Sequence, residues 1–529
     1  MIFKSHQPDV PIPSISIHEY VLRHARRLAD KPALIDGPSG RTLTYAQLAD
    51  GVQACAAGLA ERGLKKGDVF AIFCPNMPEY AVAFMGVSTA GGINTTANPL
   101  YTADELAKQL NDCKARFLLT VPMFLDKARE AAAKCSVEEV FVLGEAPGAT
   151  PFATLLSSGK TAPAVEIDAA EDLVVLPYSS GTTGLPKGVM LTHRNLVANL
   201  CQCEGMESMD GFKEYDVSIA VLPFFHIYGM VVVQMYVLAV GGTLVTMPRF
   251  DMEEFLGAIQ KYKITLAPLV PPIVLGLAKH PLVDKYDLSS LRIIFCGAAP
   301  LGEAVAKEAA ARVHCKVVQG YGMTEASPVT HLSPSGLPNF KVASSGWVVP
   351  NTEVMVVDPV SLQPLGIDQE GELWIRGPQI MNGYLNQPQA TRDSITPDGW
   401  YRTGDIGSAD SEGYFYIVDR LKELIKYKGM QVAPAELEAL VLTHPAVADA
   451  AVIPSPDEEA GELPKAFIVL KVGQQVSAEA IMDFVAGRVA PHKRIRRLEF
   501  IAQIPKSASG KILRRMLVDQ ERKARAGHS

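Results

Sequence analysis

The sequence predicts an α/β protein of at least two domains, in which parallel sheets are covered by helices on both faces. Three observations lead to this fold class. The chain has 529 residues, more than a single hydrophobic core ordinarily serves. Apolar residues make up 48% of it, as in well-buried globular proteins. Helix-like and strand-like segments alternate along most of the chain, which favours parallel strands joined by helices.

Two consecutive helix–strand units near the N-terminus show this alternation. Each begins with a threonine followed three residues later by Gln or Glu, the pattern of a capping box, and each ends in an apolar strand. The first unit has Thr44 with Gln47, a helix to about Arg62, a stop at Gly63 and a strand at 69–73; the second has Thr102 with Glu105, a helix to about Asp112 and a strand at 115–120.

The pattern changes after Asn351. Strand-like segments at 352–358 and 371–376 are separated by Pro/Gly turns, which predicts a small antiparallel barrel or sheet. Beyond Asp419 a helix at 434–441 and a strand at 466–471 follow. We therefore predict an N-terminal domain of residues 1–418 and a C-terminal domain of residues 419–529.

Composition excludes several classes of protein. A net charge of −7, from 50 basic and 57 acidic residues, does not indicate a nucleic-acid partner. The eight cysteines form no Cys-x-x-Cys pair, so buried free thiols are expected instead of zinc sites or disulfides. The longest apolar stretch, at 230–240, is too short to span a bilayer, and the N-terminus lacks the apolar core of a signal peptide. We expect a cytoplasmic protein without stable membrane association.

The ten residues at 179–188, Ser-Ser-Gly-Thr-Thr-Gly-Leu-Pro-Lys-Gly, are the most informative segment. Glycines allow backbone N–H groups to approach an anion, while hydroxyls and Lys187 add donors and positive charge. Gly188 stands where a Walker A loop has Ser or Thr. The segment predicts a polyphosphate-binding loop, although its composition alone also fits a flexible surface loop.

Four later segments also contain residue types that could contact a nucleotide. At 319–325, Gln-Gly-Tyr-Gly-Met-Thr-Glu offers a ring for a purine, a hydroxyl for a phosphate oxygen and a carboxylate for Mg²⁺; alone, it also fits a glycine-rich turn. Asp405 can accept from two ribose hydroxyls or cap a turn. The lysines of 419–429 also fit a solvated face. Lys511, in 505–515, follows a Ser/Gly turn that can present it at a domain surface.

These five segments, in this order and at this separation, resemble the adenylate-forming superfamily of acyl-CoA ligases, peptide-synthetase adenylation domains and beetle luciferases. The resemblance extends from about Thr44 to Arg515 and is strongest to 4-coumarate–CoA ligases, above all at 177–193 and 418–438. It implies a large N-terminal domain of two helix-covered sheets plus a small β-barrel. It also implies a small mobile C-terminal α+β domain.

The resemblance implies an ATP-dependent acid–thiol ligase. Such an enzyme joins a small-molecule carboxylic acid to AMP with release of pyrophosphate and then transfers the acyl group to CoA. ATP, Mg²⁺ and CoA are the implied cofactors. The implied nucleotide contacts are Ser179, Ser180, Gly181, Thr182, Thr183 and Lys187 for the phosphates, Gln319, Gly320 and Tyr321 for adenine, Thr324 for the α-phosphate, Glu325 for Mg²⁺, and Asp405 with Arg420 for the ribose.

Lys511 resembles the family's catalytic lysine, which bridges the carboxylate and the phosphate. The family rotates its small domain about a hinge, here Lys422, between the two half-reactions. The remaining implied contacts are Lys426 and Gln431 for the adenylate, and Lys428, Gly429 and Arg249 for CoA.

The acyl pocket implied by the resemblance is apolar. His226 would act as a gate between the carboxylate and the thiol, and the walls would be Tyr228, Phe295, Cys296, Gly297, Ala298, Gly322, Pro328 and Val329. Four residues depart from the usual pattern of plant coumarate ligases, namely Phe295, Cys296, Ser327 and Thr330. These departures leave the identity of the acid open between 4-coumarate-like or other aryl acids and medium-chain fatty acids.

Two further alternatives remain at the level of sequence. A luciferase-like oxygenase would share the adenylation step and then use O₂. A carrier-protein-loading acyl-AMP ligase would share it and not use CoA. Lys428, Gly429 and Arg249 favour CoA over a carrier protein.

Overall fold

The computed structural model describes residues 1–179, 186–206, 209–428, 430–457, 459–507 and 510–526. Within these ranges the strands form four sheets. Two are large and mainly parallel, one is a smaller antiparallel sheet, and one belongs to the C-terminal part of the chain. This arrangement confirms the predicted α/β fold class.

The first large sheet has eight strands in the described part of the chain. Its six central and distal strands run parallel, and the strand that carries Lys187 is antiparallel to its neighbours. In spatial order the strands are Gly383–Tyr384, Lys187–Thr192, Leu173–Ser179, Ile93–Thr96, Val69–Phe73, Ala115–Thr120, Glu139–Val142 and Thr150–Pro151.

The second large sheet has nine strands among the residues described. Its six middle strands are parallel and its outer strands antiparallel. In spatial order they are Trp347–Val348, Val329–Leu332, Lys316–Gly322, Ile293–Cys296, Leu266–Leu269, Val217–Ala220, Thr243–Thr246, Pro32–Asp36 and Thr42–Thr44.

The two smaller sheets follow later in the chain. The antiparallel sheet, which corresponds to the predicted barrel or sheet, consists of Phe3–Lys4, Glu353–Val357, Gly371–Arg376, Tyr401–Ala409 and Phe415–Arg420. The C-terminal sheet consists of Met430–Val432, Ile425–Tyr427, Gly461–Leu470 and Val447–Asp457, with Arg497–Phe500 parallel to Gly461–Leu470.

Helices cover both large sheets and the C-terminal sheet. The α-helices are Ile17–Val21, Tyr45–Glu61, Pro78–Thr89, Ala103–Asp112, Leu125–Ala132, His193–Glu204, Tyr236–Ala239, Met252–Tyr262, Pro271–Lys279, Glu303–Val313, Pro388–Ser394, Pro434–Val441, Ala478–Ala486 and Arg514–Ala526, and Tyr228–Met235 is a π-helix. Short 3₁₀ turns occur at Pro122–Phe124, Phe152–Thr154, Pro281–Lys285, Thr324–Ala326 and Pro491–Lys493.

The predicted capping boxes are confirmed. The Thr44 hydroxyl accepts from the Gln47 N–H at 3.3 Å, and the Gln47 side chain accepts from the Thr44 N–H at 2.9 Å. Thr102 and Glu105 form the same reciprocal pair. Gly63 follows the first helix with a φ of +77°, a conformation that glycine adopts without steric cost. These termini therefore follow from local sequence.

The hydrophobic cores separate the C-terminal sheet from the rest. One large cluster spans both large sheets and the helices between them, and includes Phe70, Phe84 and Leu244. A different cluster beneath the C-terminal sheet is built only from residues at and beyond Ile425. All eight cysteines, which lie within the described ranges, are free; six are buried and two are partly buried. The thiol prediction is therefore confirmed.

A helix that crosses a bilayer must be both long and apolar. None of the helices in the described part of the chain meets this requirement.

The partly buried His18 and the buried His193 make the folded state sensitive to acid. Burial lowers the pKa of His18 to about 4 and that of His193 to about 3, from 6.5. His193 accepts from the Ile17 N–H at 3.1 Å, and Glu19 and Asp172 lie near enough to oppose part of the shift. Both rings are therefore neutral in the folded protein at pH 7.

We expect the free energy of unfolding to fall as the pH is lowered from about 6.5 towards 4. In that window the unfolded chain binds protons that the folded protein does not bind, so each ring contributes a slope of roughly 1.4 kcal/mol per pH unit. When the free energy of unfolding is measured by denaturant at a series of pH values, its slope against pH should be shallower for His193→Gln than for the wild type. The exposed His314 replaced by Asn serves as the control, and an unchanged slope in His193→Gln would contradict this assignment.

Candidate active site

A cavity of about 350 Å³ lies where the two large sheets, the antiparallel sheet and the segment around Lys511 meet. The parallel strands Ile293–Cys296 and Lys316–Gly322 end at this cavity, as does Leu173–Ser179 of the other large sheet. Loops at the carboxyl ends of parallel strands commonly form binding sites. The sheet topology therefore brings together motifs that are far apart in sequence.

Glu325 lies at the centre of the polar part of this cavity. Its Oε1 accepts from the Ser179 hydroxyl at 2.9 Å and from the Tyr384 hydroxyl at 2.9 Å. The side chain is buried, and Thr324 beside it also lines the cavity. These two hydroxyls, which come from separate strands, fix the orientation of the carboxyl group.

Tyr321, Asp405 and Arg420 form a second polar group in the cavity. The Tyr321 hydroxyl donates to Asp405 Oδ2 at 2.6 Å, and Arg420 Nε lies 3.3 Å from Asp405 Oδ1. Asp405 and Arg420 are paired residues of neighbouring antiparallel strands. The Asp405 N–H also donates to the Thr403 hydroxyl at 3.0 Å. The arrangement presents an aromatic ring, a carboxylate and a guanidinium side by side.

Lys511 and His226 add an amine and an imidazole to the lining of the same cavity. Burial, followed by the charge of Arg420, lowers the pKa of Lys511. Burial, followed by the charge of Lys511, lowers the pKa of His226 to about 4, so this ring is neutral at pH 7. The His226 Nδ1 accepts from the Tyr228 N–H at 3.3 Å, which leaves Nε2 as its N–H donor.

The segment that carries Lys511 and the helix Pro434–Val441 both lie close to the N-terminal part of the chain. A Cβ at Gly510 would lie 2.9 Å from a Val270 methyl carbon, and one at Gly302 would lie 3.4 Å from the Ala439 Cβ. Within the segment, the Lys511 N–H donates to the Ser507 hydroxyl at 3.1 Å. The two parts of the chain are thus arranged with Lys511 inside the cavity.

The remainder of the cavity is apolar. Tyr228 donates to the Phe295 carbonyl at 3.0 Å and lies against Gly297. A Cβ at Gly322 would lie 2.2 Å from the Pro328 carbonyl oxygen, so only glycine permits this close approach. The sequence-predicted pocket residues that line the cavity are Tyr228, Phe295, Cys296, Gly297, Ala298, Gly322, Pro328 and Val329.

Other predicted residues lie elsewhere in the described structure. The Gln319 amide bonds the backbone of Leu301 and Val342, and the Lys187 ammonium lies 4.8 Å from the centre of the Tyr384 ring. Neither is among the residues that line the cavity, and the same holds for Lys422, Lys426, Gln431, Lys428 and Arg249. Their predicted roles stay predictions.

The C-terminal members of that set are on or near the surface. Lys426 and Gln431 are exposed and lie opposite each other in a hairpin, and Lys428 forms an ion pair with Glu459. Arg249 is exposed in the loop after Thr243–Thr246. The predicted contacts Ser180, Gly181, Thr182, Thr183 and Gly429 lie outside the described residues.

Sequence reasoning missed three side chains of this site. Tyr384 orients Glu325, and Phe212 and Tyr236 line the apolar end of the cavity. None of them lies in a recognisable motif, and each reaches the cavity only through tertiary packing. Aromatic residues in apolar runs gave no signal that distinguished them from ordinary core residues.

The Glu325 carboxylate could bind one hard cation whose other ligands come from substrate phosphates. Both hydrogen bonds that Glu325 accepts within the described residues fall on Oε1. No group of three or more His, Cys, Asp or Glu side chains suited to a metal exists in that part of the chain. Mg²⁺ is commonly bound through one or two carboxylates together with substrate phosphates, and Glu325 can supply one such carboxylate.

Two family models match the chain. The model described as AMP-binding enzyme matches residues 21–385, and the model described as AMP-binding enzyme C-terminal domain matches residues 436–511. Among curated relatives, 4-coumarate–CoA ligase 2 of Petroselinum crispum is 46% identical over 524 residues, which cover 98% of this chain and 96% of the relative. 4-Coumarate–CoA ligase 2 of Nicotiana tabacum is 44% identical with the same coverage.

Solved structures give the same grouping. The crystal structure of the anthranilate CoA ligase AuaEII in complex with anthranoyl-AMP has a TM-score of 0.90 and 25% identity, and the match covers 98% of this chain and 99% of that one. ATP-bound MatB from Rhodopseudomonas palustris has a TM-score of 0.85 and 27% identity, with 96% and 99% covered. The predicted resemblance is confirmed.

Proposed function

The chain belongs to the family of AMP-binding enzymes, and from this premise we propose that it is a ligase that activates a 4-coumarate-like or other aryl acid with ATP and transfers the acyl group to CoA. The observation that carries this proposal is the shared cavity. Lys511, Glu325 and the group of Tyr321, Asp405 and Arg420 line the polar part of a space whose remainder is an apolar pocket.

The proposed reaction has two steps, and each forms one bond and breaks another. In the first, a carboxylate oxygen of the acid attacks the α-phosphorus of ATP, and the bond to pyrophosphate breaks to give acyl-AMP. In the second, the CoA thiolate attacks the acyl carbon, and the bond between that carbon and the AMP oxygen breaks. Both steps depend mainly on positioning and on stabilising negative charge.

In the first step, each of these cavity residues has a separate role. Asp405 accepts from the ribose hydroxyls, while Tyr321 faces the adenine and Thr324 contacts the α-phosphate. Lys511 lines the same cavity, and its ammonium would stabilise the charge that develops on the attacked phosphate. The neutral His226 ring carries its proton on Nε2, so it can position the carboxyl end of the acid by donating a hydrogen bond.

Glu325 is the residue that would hold Mg²⁺. When bound, this ion supplies charge neutralisation at the phosphate oxygens. The Ser179 and Tyr384 hydroxyls support this role because they hold the Glu325 carboxyl group in one orientation.

We also propose a division of the chain near Asp419 and a role for the exposed lysines in the second step. The separate core beneath residues at and beyond Ile425 supports the division. Rotation of the C-terminal part about Lys422 would withdraw Lys511 from the cavity. It would also bring Lys428 to the CoA path. Arg249, in the N-terminal part of the chain, would lie near the CoA phosphates, and Lys426 and Gln431 would contact the adenylate.

The apolar pocket supports an aryl acid. Its lining combines aromatic rings with small residues, aliphatic side chains, methionines and two cysteines, and the Tyr228 hydroxyl within it donates to the Phe295 carbonyl. Apolar pockets discriminate by size at about 1–3 kcal/mol per methylene, so several acids of similar size should be accepted.

The test is a competition in which 4-coumarate, benzoate and octanoate are offered together with ATP, Mg²⁺ and CoA, and the thioesters are identified by mass spectrometry. A predominant aryl thioester is the expected result. Predominant octanoyl-CoA would assign the enzyme to the medium-chain fatty acid ligases. Acyl-AMP without any thioester would contradict the CoA assignment and indicate a carrier-protein partner.

A further inference from the structure

A second cavity lies directly behind the apolar end of the active-site cavity. It has a volume of about 360 Å³, and its lining in the described structure consists of Cys203, Glu204, Met206, Met209, Gly211, Phe212, Lys213, Tyr236 and Val240. None of these residues belongs to the nucleotide motifs. Among the described residues, the second cavity therefore does not border the polar group of Glu325, Tyr321, Asp405 and Arg420.

The two cavities share four lining residues, Cys203, Met209, Phe212 and Tyr236. Two of these are aromatic and in contact: the rings of Phe212 and Tyr236 meet edge to face with centroids 5.1 Å apart. Phe212 also stacks on Phe295, a predicted pocket residue, with centroids 5.6 Å apart. These rings consequently form a continuous partition between the pocket and the space behind it.

We propose that Phe212, supported by Tyr236, sets the length of the acyl group that this enzyme accepts, and that the second cavity is a subsite for an alkyl extension when the partition is opened. This inference rests on the proposed function, because it concerns the acid that is activated. It assigns specificity to a residue outside the sequence-predicted pocket.

Two methionines give the second cavity an apolar portion that an unbranched alkyl tail can contact. Met206 and Met209 are buried there, and methionine side chains adapt to irregular apolar ligands. Lys213 and Glu204 are exposed, and Glu204 forms an ion pair with Arg23, so both charged groups reach solvent. A tail that passes the partition would contact the side chains of Met209, which lines both cavities, and of Met206, which lines the second.

The experiment compares 4-butoxycinnamate with 4-coumarate in acyl-CoA formation. In Phe212→Ala, the ratio of kcat/KM for 4-butoxycinnamate to that for 4-coumarate should rise by at least about 10-fold, since each methylene accommodated in an apolar site is worth about 10-fold or more. Phe212→Leu should give a smaller rise in the same direction and serves if the alanine variant does not fold.

Two matched variants locate the effect. Phe225→Ala removes an aromatic ring that lines only the first cavity, and it should not raise the ratio. Val240→Phe narrows only the second cavity; alone it should leave activity on 4-coumarate unchanged, and combined with Phe212→Ala it should return the ratio towards the wild-type value.

A folded Phe212 variant with an unchanged ratio would overturn the inference, and so would a rise that Val240→Phe does not reverse. The proposed function is tested separately by the wild type in the same assay. If the wild type forms no acyl-CoA from any acid offered, the proposed function fails. If it forms coumaroyl-CoA while the variants show no shift, only the assignment of Phe212 fails.

Discussion

Replacement of Lys511 by alanine is expected to lower the rate of acyl-AMP formation by at least about 10²–10³-fold. The Lys511 ammonium is one of two cations, with the Arg420 guanidinium, that described residues beyond 418 place in the cavity, and removal of a preorganised group that stabilises developing negative charge commonly costs this much. Thioester formation from supplied acyl-AMP and CoA should remain within a few-fold of wild type. Each half-reaction is measured separately, by pyrophosphate release and by thioester appearance.

Lys506→Ala is the matched control for this variant. Lys506 lies on the same loop, but its ammonium pairs with Asp449 at 2.6 Å, so its loss should affect both half-reactions little. The Lys511 pKa is lowered by burial, and wild-type acyl-AMP formation should therefore decline as pH rises through a value below 10.5. Equal losses of the two half-reactions in Lys511→Ala would contradict the proposed division of labour.

Replacement of Asp405 by alanine is expected to lower kcat/KM for ATP by about 10- to 100-fold. The carboxylate accepts from Tyr321 at 2.6 Å and faces Arg420 at 3.3 Å, and hydrogen bonds to a charged group are worth about 1.5–3 kcal/mol. Because AMP stays bound until the thioester forms, thioester formation from acyl-AMP should also fall. This loss of both half-reactions distinguishes Asp405 from Lys511.

Two variants test whether the charge or the fold is responsible. Asp405→Asn keeps an acceptor for Tyr321 but removes the charge opposite Arg420, and we expect an intermediate loss. Asp393→Ala, at an exposed aspartate on Pro388–Ser394, should leave activity unchanged. A KM for ATP that is unaltered in a stably folded Asp405→Ala protein would exclude Asp405 from the nucleotide site.

Local sequence patterns specified many of the elements. The helices after Thr44 and Thr102 begin where their capping boxes place them, and the strands Val69–Phe73, Ala115–Thr120 and Gly371–Arg376 have the predicted bounds. The helix Pro434–Val441 is likewise as predicted. These features depend on side-chain to backbone bonds and on periodicity over a few residues, which a sequence displays directly.

The contacts that build the site span much longer distances in sequence. Tyr321 and Asp405 are 84 residues apart, Glu325 and Tyr384 are 59 apart, and Ser179 and Glu325 are 146 apart. The motifs could be identified individually, but nothing local indicates that Tyr384 orients Glu325. The predicted adenine contact Gln319 shows the same limit, since its amide bonds the backbone of two loops.

The sequence by itself thus determined the fold class and the family, and it predicted which residue types serve adenylation, because turn glycines, capping residues and phosphate-binding loops leave local signatures. Only the tertiary structure decided which of these residues share the cavity, how burial lowers the pKa of Lys511 and His226, and where the acyl pocket ends. The partition of Phe212, Tyr236 and Phe295 comes from three separate segments, and its position depends on the packing of side chains that no short pattern in the sequence encodes.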